Sequence, residues 1–396
     1  SMIRQTRRYF RYQSGKSIQV SFAVNFSPST QIESYTYDAS TGLGTIKTRY
    51  PHRLQTGLSV EVSGATTTSP TNHWNGIKII SSIVDDYTYK VIQGGALTTD
   101  AVSGAGGVPE FYVRSWTNSA LRCGLFDDQN GMFFEYDGST LSCCRRSSVV
   151  QLSGTSSVTF RSGQIVGTNT RYSKQVNVGE KIVIKGQTHV VTKITSDTLM
   201  FIMPSYRGTS NSNVIITKTE VTKIPQTQWN LDKCDGTGPT GFFLRPHRIQ
   251  MAYIDYSWYG AGKIRFGFKD QRGRVVYVHE FIHNNHKNEA YLRSGNLPAR
   301  YEIENVGVPT YVPALAHWGT SVIMDGKFDP DNAYLFTAGS NNIQLTGSST
   351  VTVSAKAETQ GEYYYWFNNR WYGLGRALEI DTPSFLYNSI PRDKFI

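Results

Sequence analysis

This sequence of 396 residues predicts an all-β fold, a β-sandwich interrupted by two small β modules set into its loops. Three observations carry that prediction. Charged residues make up only 18% of the chain, against 13% aromatic residues and 36 glycines, a balance opposite to that of a disordered chain or a coiled coil. Apolar residues alternate with polar ones at period two in run after run, whereas sustained 3.6-residue periodicity is scarce. Asp-Gly pairs punctuate these runs as turns do. At about 150 residues per domain the length implies two to three domains, ample for a core that needs no disulfide or metal staple. No apolar run approaches the roughly 18 residues needed to cross a bilayer, so no membrane insertion is expected.

Taken in order, the N-terminal stretch holds Arg4, Arg7, Arg8, Arg11 and Lys16 with no acid before Glu33, and contributes much of the net charge of +10. A free basic arm would suit nucleic acid or anionic lipid. Tyr9, Phe10 and Tyr12 interleave with those arginines, however, and favour a first strand with one solvated face, so no nucleic-acid partner is assigned. Next comes an internal echo. Gly57-x-x-Val60-x-Val62-x-Gly64 precedes a β-branched run and the Asp85-to-Thr88 corner; Gly179-x-x-Ile182-x-Ile184-x-Gly186 precedes a second such run and Asp197-Thr198. Two copies are too few for a solenoid, which needs at least three stacked units. They read instead as two barrel-like inserts at 31–107 and 173–211. The interrupted sandwich then takes 2–30, 108–172 and 212–396, because sandwich loops tolerate insertions.

Between the inserts, Met132 to Tyr136, the pair Asp137-Gly138 and the run from Leu141 form the strongest local hairpin signal. Ile264, Phe266 and Phe268 alternate with Lys263, Arg265 and Gly267 as a half-buried strand does, and Val275 to Ile282 follows as a further strand. Residues 284–296 and 382–391 offer room for a short helix at most. The four cysteines, Cys123, Cys143, Cys144 and Cys234, have neither CxxC nor zinc-site spacing and read as reduced thiols. Cys143 and Cys144 are adjacent, so on a strand they point to opposite faces.

The sharpest chemical motif is His279-Glu280-Phe281-Ile282-His283, a literal HExxH. Zinc proteases need it on a helix, where the i, i+4 spacing brings both imidazoles to one metal. Here β-branched and aromatic residues precede it and Asn284-Asn285 follows, so a strand is expected. Residues four apart on a strand lie about 13 Å from each other. His279 and His283 therefore read as exposed or sheet-face histidines, and a metalloprotease is only a remote alternative. Asp325, Asp329, Asp331 and Asn332 lack the EF-hand register and read as a turn. There is no P-loop, dinucleotide fingerprint or GxSxG elbow; no catalytic residue, cofactor or metal is assigned. Aromatic concentrations remain: Trp258 and Tyr259, then Trp366, Trp371 and Tyr372 around the run 363–367. Consecutive aromatics must face both sides of a strand, so these five are the candidate contacts for a protein interface or a glycan.

Several blocks carry a family likeness. Arg8-Tyr9-Phe10-Arg11-Tyr12-Gln13-Ser14-Gly15-Lys16 resembles a segment of the large virion proteins of tailed phages, especially marine, T-even-like myoviruses. So do Cys123 to Gly138, Asn296 to Ile303, Asp325 to Phe336 and Ile390 to Phe395. The likeness spans most of the chain outside the inserts. It departs from the pattern at Ser17, where glycine is expected, and at Cys143-Cys144, where apolar residues are. The resemblance implies a lectin-like jelly-roll core and a non-enzymatic structural part of the tail or baseplate. Such a protein would be made in the host cytoplasm and located in the virion, as a homo-oligomer docked to other tail proteins. It also implies that the chain is a piece of a longer protein. The alternative from another binding class is a receptor- or carbohydrate-binding module of a phage adhesin, with a host-surface glycan as partner.

Overall fold

The computed structural model of the chain describes residues 1–12, 16–38, 40–65, 74–93, 101–102, 108–257 and 261–324. Beyond these it describes the backbone of the strands Val353–Lys356, Tyr364–Phe367, Arg370–Gly373 and Ala377–Ile380. The fold class is all-β, as expected. Among the described residues the only helices are the single turns Tyr172–Gln175 and Gln226–Gln228. Residues 284–296 hold turns and no helix. The chain divides into the compact units Ser1–Lys327 and Phe328–Ile396.

In the first unit two antiparallel sheets face each other. One runs in the order Met2–Gln5, Ala299–Asn305, Ser119–Phe126, Gly131–Tyr136, Leu141–Gln151, Ile216–Pro225; the other in the order Val275–Ile282, Lys263–Lys269, Gln250–Ser257, Ser17–Asn25, Ala316–Met324. Period-two sequences produce this arrangement directly. Ile18, Val20, Phe22 and Val24 alternate along one strand and are fully buried, as are Ile264, Phe266 and Phe268 along another. Across the interface the Phe134 ring packs on Phe266 and Phe268 at 5.2 and 4.7 Å, and Phe22 meets Tyr301 edge-on at 6.0 Å. Cys143 joins this core while Cys144 joins Phe126 and Phe133 on the opposite face of its sheet, as adjacent strand residues must. All four cysteines are free and buried.

The first insert is a closed six-stranded barrel. Its strands Thr30–Asp38, Leu43–Thr48, Thr88–Ile92, Gly76–Ile83, Ser59–Ser63 and Glu110–Val113 pair in that order, and the last returns to the first through Thr30↔Phe111 and Gln31↔Glu110. Closure leaves no free sheet edge between them. Tyr35 packs on Trp74 and Tyr89 on Phe111 inside.

The second insert is not a separate closed barrel, among the described residues. Its strand Lys181–Ile184 pairs with Ile216–Pro225 through Ile182↔Lys218, so it continues the larger sandwich sheet, which reaches twelve strands. Its own core runs from Leu152 to Ile216, wider than the 173–211 expected. The flanking strands Thr155–Val158 and Gln164–Thr168 are Ser-, Thr- and Gly-rich and bury few apolar side chains, so their period-two signal is faint. The internal echo is nevertheless structural. Gly57 N–H donates to the Ile80 carbonyl at 2.9 Å and Ile80 N–H to the Leu58 carbonyl at 3.0 Å. Gly179 N–H donates to Val191 at 2.7 Å and Val191 N–H to Glu180 at 2.9 Å, the same pattern one module later.

In the second unit, which was expected to belong to the sandwich, the described strands pair with one another. Val353–Lys356 pairs with Ala377–Ile380, enclosing the pair Tyr364–Phe367 and Arg370–Gly373.

Candidate functional site

The outer face of the five-stranded sheet forms a cleft lined by both polar and apolar groups. Because Ile18, Val20, Ile254, Tyr256, Ile264 and Phe266 point inward, their neighbours Gln19, Asp255 and Arg265 point outward. Strand register aligns them into one row, Ile323↔Gln19, Gln19↔Asp255, Asp255↔Arg265, Arg265↔Glu280. Ser17 lies opposite Ser257 in the next row, and these two with Gln19, Asp255, Lys263, Arg265 and Ile323 line a cleft of about 330 Å³. That is within the range of small-molecule sites, about 300–1,000 Å³.

Asp255 is the fixed point of the cleft. Its carboxylate accepts from Arg265 Nε at 2.9 Å and Nη2 at 2.8 Å, and from the Tyr277 hydroxyl at 2.7 Å. The Arg265 guanidinium lies over the Tyr277 ring, 4.3 Å from its centroid. Burial, then the hydrogen bond to Asp255, pushes the Tyr277 pKa up to about 12, so this phenol remains an O–H donor. Lys263 pairs with Glu280 at 3.3 Å.

A second concentration of charge covers the outer face of the larger sheet. Phe126 and Phe133 are fully buried there beneath arginines: Arg146 and Arg300 lie over Phe126, and Arg122 and Arg146 over Phe133. Arg122 binds Glu135 at 2.6 Å, Glu302 at 2.5 Å, and Glu304; Arg300 binds Glu302 and, at 3.1 Å, Asp128. Burial works to raise the Glu135 pKa, but Arg122 and Lys223 override it and hold the carboxyl below its usual range. Arg146 instead donates to the Asp127 carbonyl at 2.6 Å; burial and then Arg122 lower its pKa.

On the barrel, a stripe of isoleucine faces outward. Ile79 and Ile92 are directly opposed, and Ile77 lies two residues from Ile79; their exposures are 51, 54 and 57%.

The HExxH segment lies on the strand Val275–Ile282 and its end, not on a helix. His279 lies on the sheet, as one of the two expected placements had it, and His283 just past the strand end; both are buried and not exposed, at 6 and 5% exposure. His279 Nδ1 accepts the Asn230 N–H at 3.4 Å, and its ring meets Phe281 edge-on. His283 Nε2 lies 2.5 Å from Arg145 Nη1, with its ring beside Tyr291. Burial lowers both imidazoles to a pKa of about 4. Among the described residues no three His, Cys, Asp or Glu side chains gather as metal ligands.

Of the aromatic candidates, Trp258 and Tyr259 lie outside the described residues, immediately after Ser257 of the cleft. Trp366 pairs with Trp371, and Tyr372 with Tyr365, in the backbone register of the C-terminal unit. Asp325, Asp329, Asp331 and Asn332 also lie outside the described residues. Sequence reasoning missed Gln19, Asp255, Arg265 and Tyr277. The available signal was a polar residue between two apolar ones, but that is the default on any half-wet strand.

Compared with protein families, curated proteins and solved structures, the chain matches none.

Proposed function

We propose that this chain is a non-enzymatic structural protein of a tailed-phage virion, in the tail or baseplate, that works by self-association and by docking to other tail proteins. The supporting observation is that three blocks of virion-protein likeness, far apart in sequence, adjoin in space. Phe10 bridges to Leu297, and Tyr12 N–H donates to Asn296 Oδ1 at 2.8 Å. Ala299–Asn305 pairs with Ser119–Phe126, which pairs with Gly131–Tyr136. These three blocks lie in one folded patch, which contributes to the ionic layer over Phe126 and Phe133.

The docking element in this reading is the barrel. Neighbouring exposed isoleucines on a closed barrel serve no internal core, and contiguous apolar surface is what protein interfaces use. Size-exclusion chromatography with light scattering, alongside binding to full-length tail proteins, tests the proposal. Oligomers or complexes that are lost in Ile79→Glu/Ile92→Glu support it. A strictly monomeric chain that binds none of the tail proteins overturns it.

A further inference from the structure

We propose that the cleft on the outer face of the five-stranded sheet binds a neutral saccharide through Asp255, Gln19 and Arg265. The reading goes beyond a structural role and stands on the geometry of the cleft.

Three features select this ligand class. The first is charge: Asp255 is neutralised by Arg265 and Lys263 by Glu280, so the cleft offers no net charge to an anion or cation. The second is a prearranged hydrogen-bonding pair. A carboxylate has about four lone-pair sites. Arg265 and Tyr277 occupy three of those of Asp255 and leave one, while Arg265 spends Nε and Nη2 on Asp255 and keeps Nη1 for another acceptor. Adjacent donor and acceptor on a rigid frame match two neighbouring hydroxyls, each of which both donates and accepts. Such prior fixation lowers the ordering cost of binding. The third is the mixed wall: Ile323 supplies an apolar surface while Ser17, Gln19 and Ser257 supply hydroxyl and amide groups, as the faces and edges of a sugar ring require.

The site sits on sheet residues, whose positions are set by four strands and not by a loop. Asp255 itself is only 9% exposed, and burial makes its remaining bond more valuable than a surface contact.

The test is a glycan array of neutral and sialylated or sulfated glycans, probed with the full chain, followed by titration calorimetry with the strongest neutral glycan. The expected result is binding to neutral glycans that falls at least about tenfold in Gln19→Ala and in Asp255→Asn. Asp255→Asn disturbs the Arg265 pair, so Ser257→Phe, which fills the cleft without touching that pair, serves as a second variant; circular dichroism verifies that each variant folds. An array without neutral hits, a preference for acidic glycans, or neutral binding unchanged in folded Gln19→Ala and Ser257→Phe overturns the proposal. None of these outcomes depends on oligomerisation or on tail-protein binding, so the two proposals fail separately.

Discussion

Glu302 shows at the scale of one residue what the ionic layer does. It is 3% exposed and accepts from both Arg122 and Arg300, two cations that themselves cover Phe126 and Phe133. Removing one partner of a buried ion pair leaves the other charge uncompensated, at a cost of about 3–5 kcal/mol. Glu302→Gln is therefore expected to lower the free energy of unfolding in urea by that order. Asp128→Asn, whose side chain is half exposed although it also meets Arg300, is expected to cost about 1 kcal/mol or less. Equal effects for the two would contradict the burial argument. None of this was legible from the sequence. Arg122, Glu135, Arg300 and Glu302 occupy alternate strand positions that read as solvated, and their pairing needs strands 180 residues apart to be neighbours.

At the scale of elements, turns were the most legible feature because their chemistry is local. Asp137-Gly138 marks the hairpin as expected: Asp137 Oδ1 accepts from the N–H of Ser139 and Thr140, and Tyr136 pairs with Leu141 across the turn. The preceding turn works alike, with Asp127 Oδ1 accepting from Gln129 and Asn130 at 2.8 Å each. It ends in Gly131 at φ +140°, where an added Cβ would stand 2.3 Å from Phe126 Cα. Gly131→Ala is expected to destabilise by about 3 kcal/mol or more, combining backbone strain with a clash against rigid main chain. Gly179→Ala, at φ +91° with nothing within 4 Å, retains only the strain, about 1 kcal/mol. Denaturant unfolding of the two variants separates these contributions; a milder Gly131→Ala would show that the turn can shift. Strand partners were less legible. The echo at 57–64 and 179–186 marked two related strand units, yet one closes into a barrel and the other extends a neighbouring sheet. That choice is made by the flanking strands, whose own sequences are weakly patterned.

Over the whole molecule, the fold class was readable because composition and period-two alternation sum over many residues. The cleft was not, because it arises from register among four strands. The same scale governs acid stability. Burial lowers His247, His279 and His283 to pKa values of about 4. The three are spread out: His247 stacks on Tyr112 of the barrel at 3.8 Å, while the other two lie at an edge of the sandwich. An unfolded histidine titrates near 6.5. Below that pH the unfolded chain gains protons that the folded chain refuses, so stability is present above about 6.5 and is lost progressively as pH falls toward 4. The melting temperature is expected to drop across that window, with three imidazole proton resonances unshifted until below about pH 5. Three resonances titrating near 6.5 would remove the basis for this expectation.

The burial of all four cysteines has a practical consequence. Cys123, Cys143 and Cys144 are fully buried, as is Cys234, and burial pushes each thiol pKa up, which suppresses the reactive thiolate. The folded chain is in effect already cysteine-blank toward soluble alkylating probes. A single cysteine introduced on the barrel stripe or at the cleft rim can thus carry a fluorophore or crosslinker alone, without first stripping the core of sulfur that fills it.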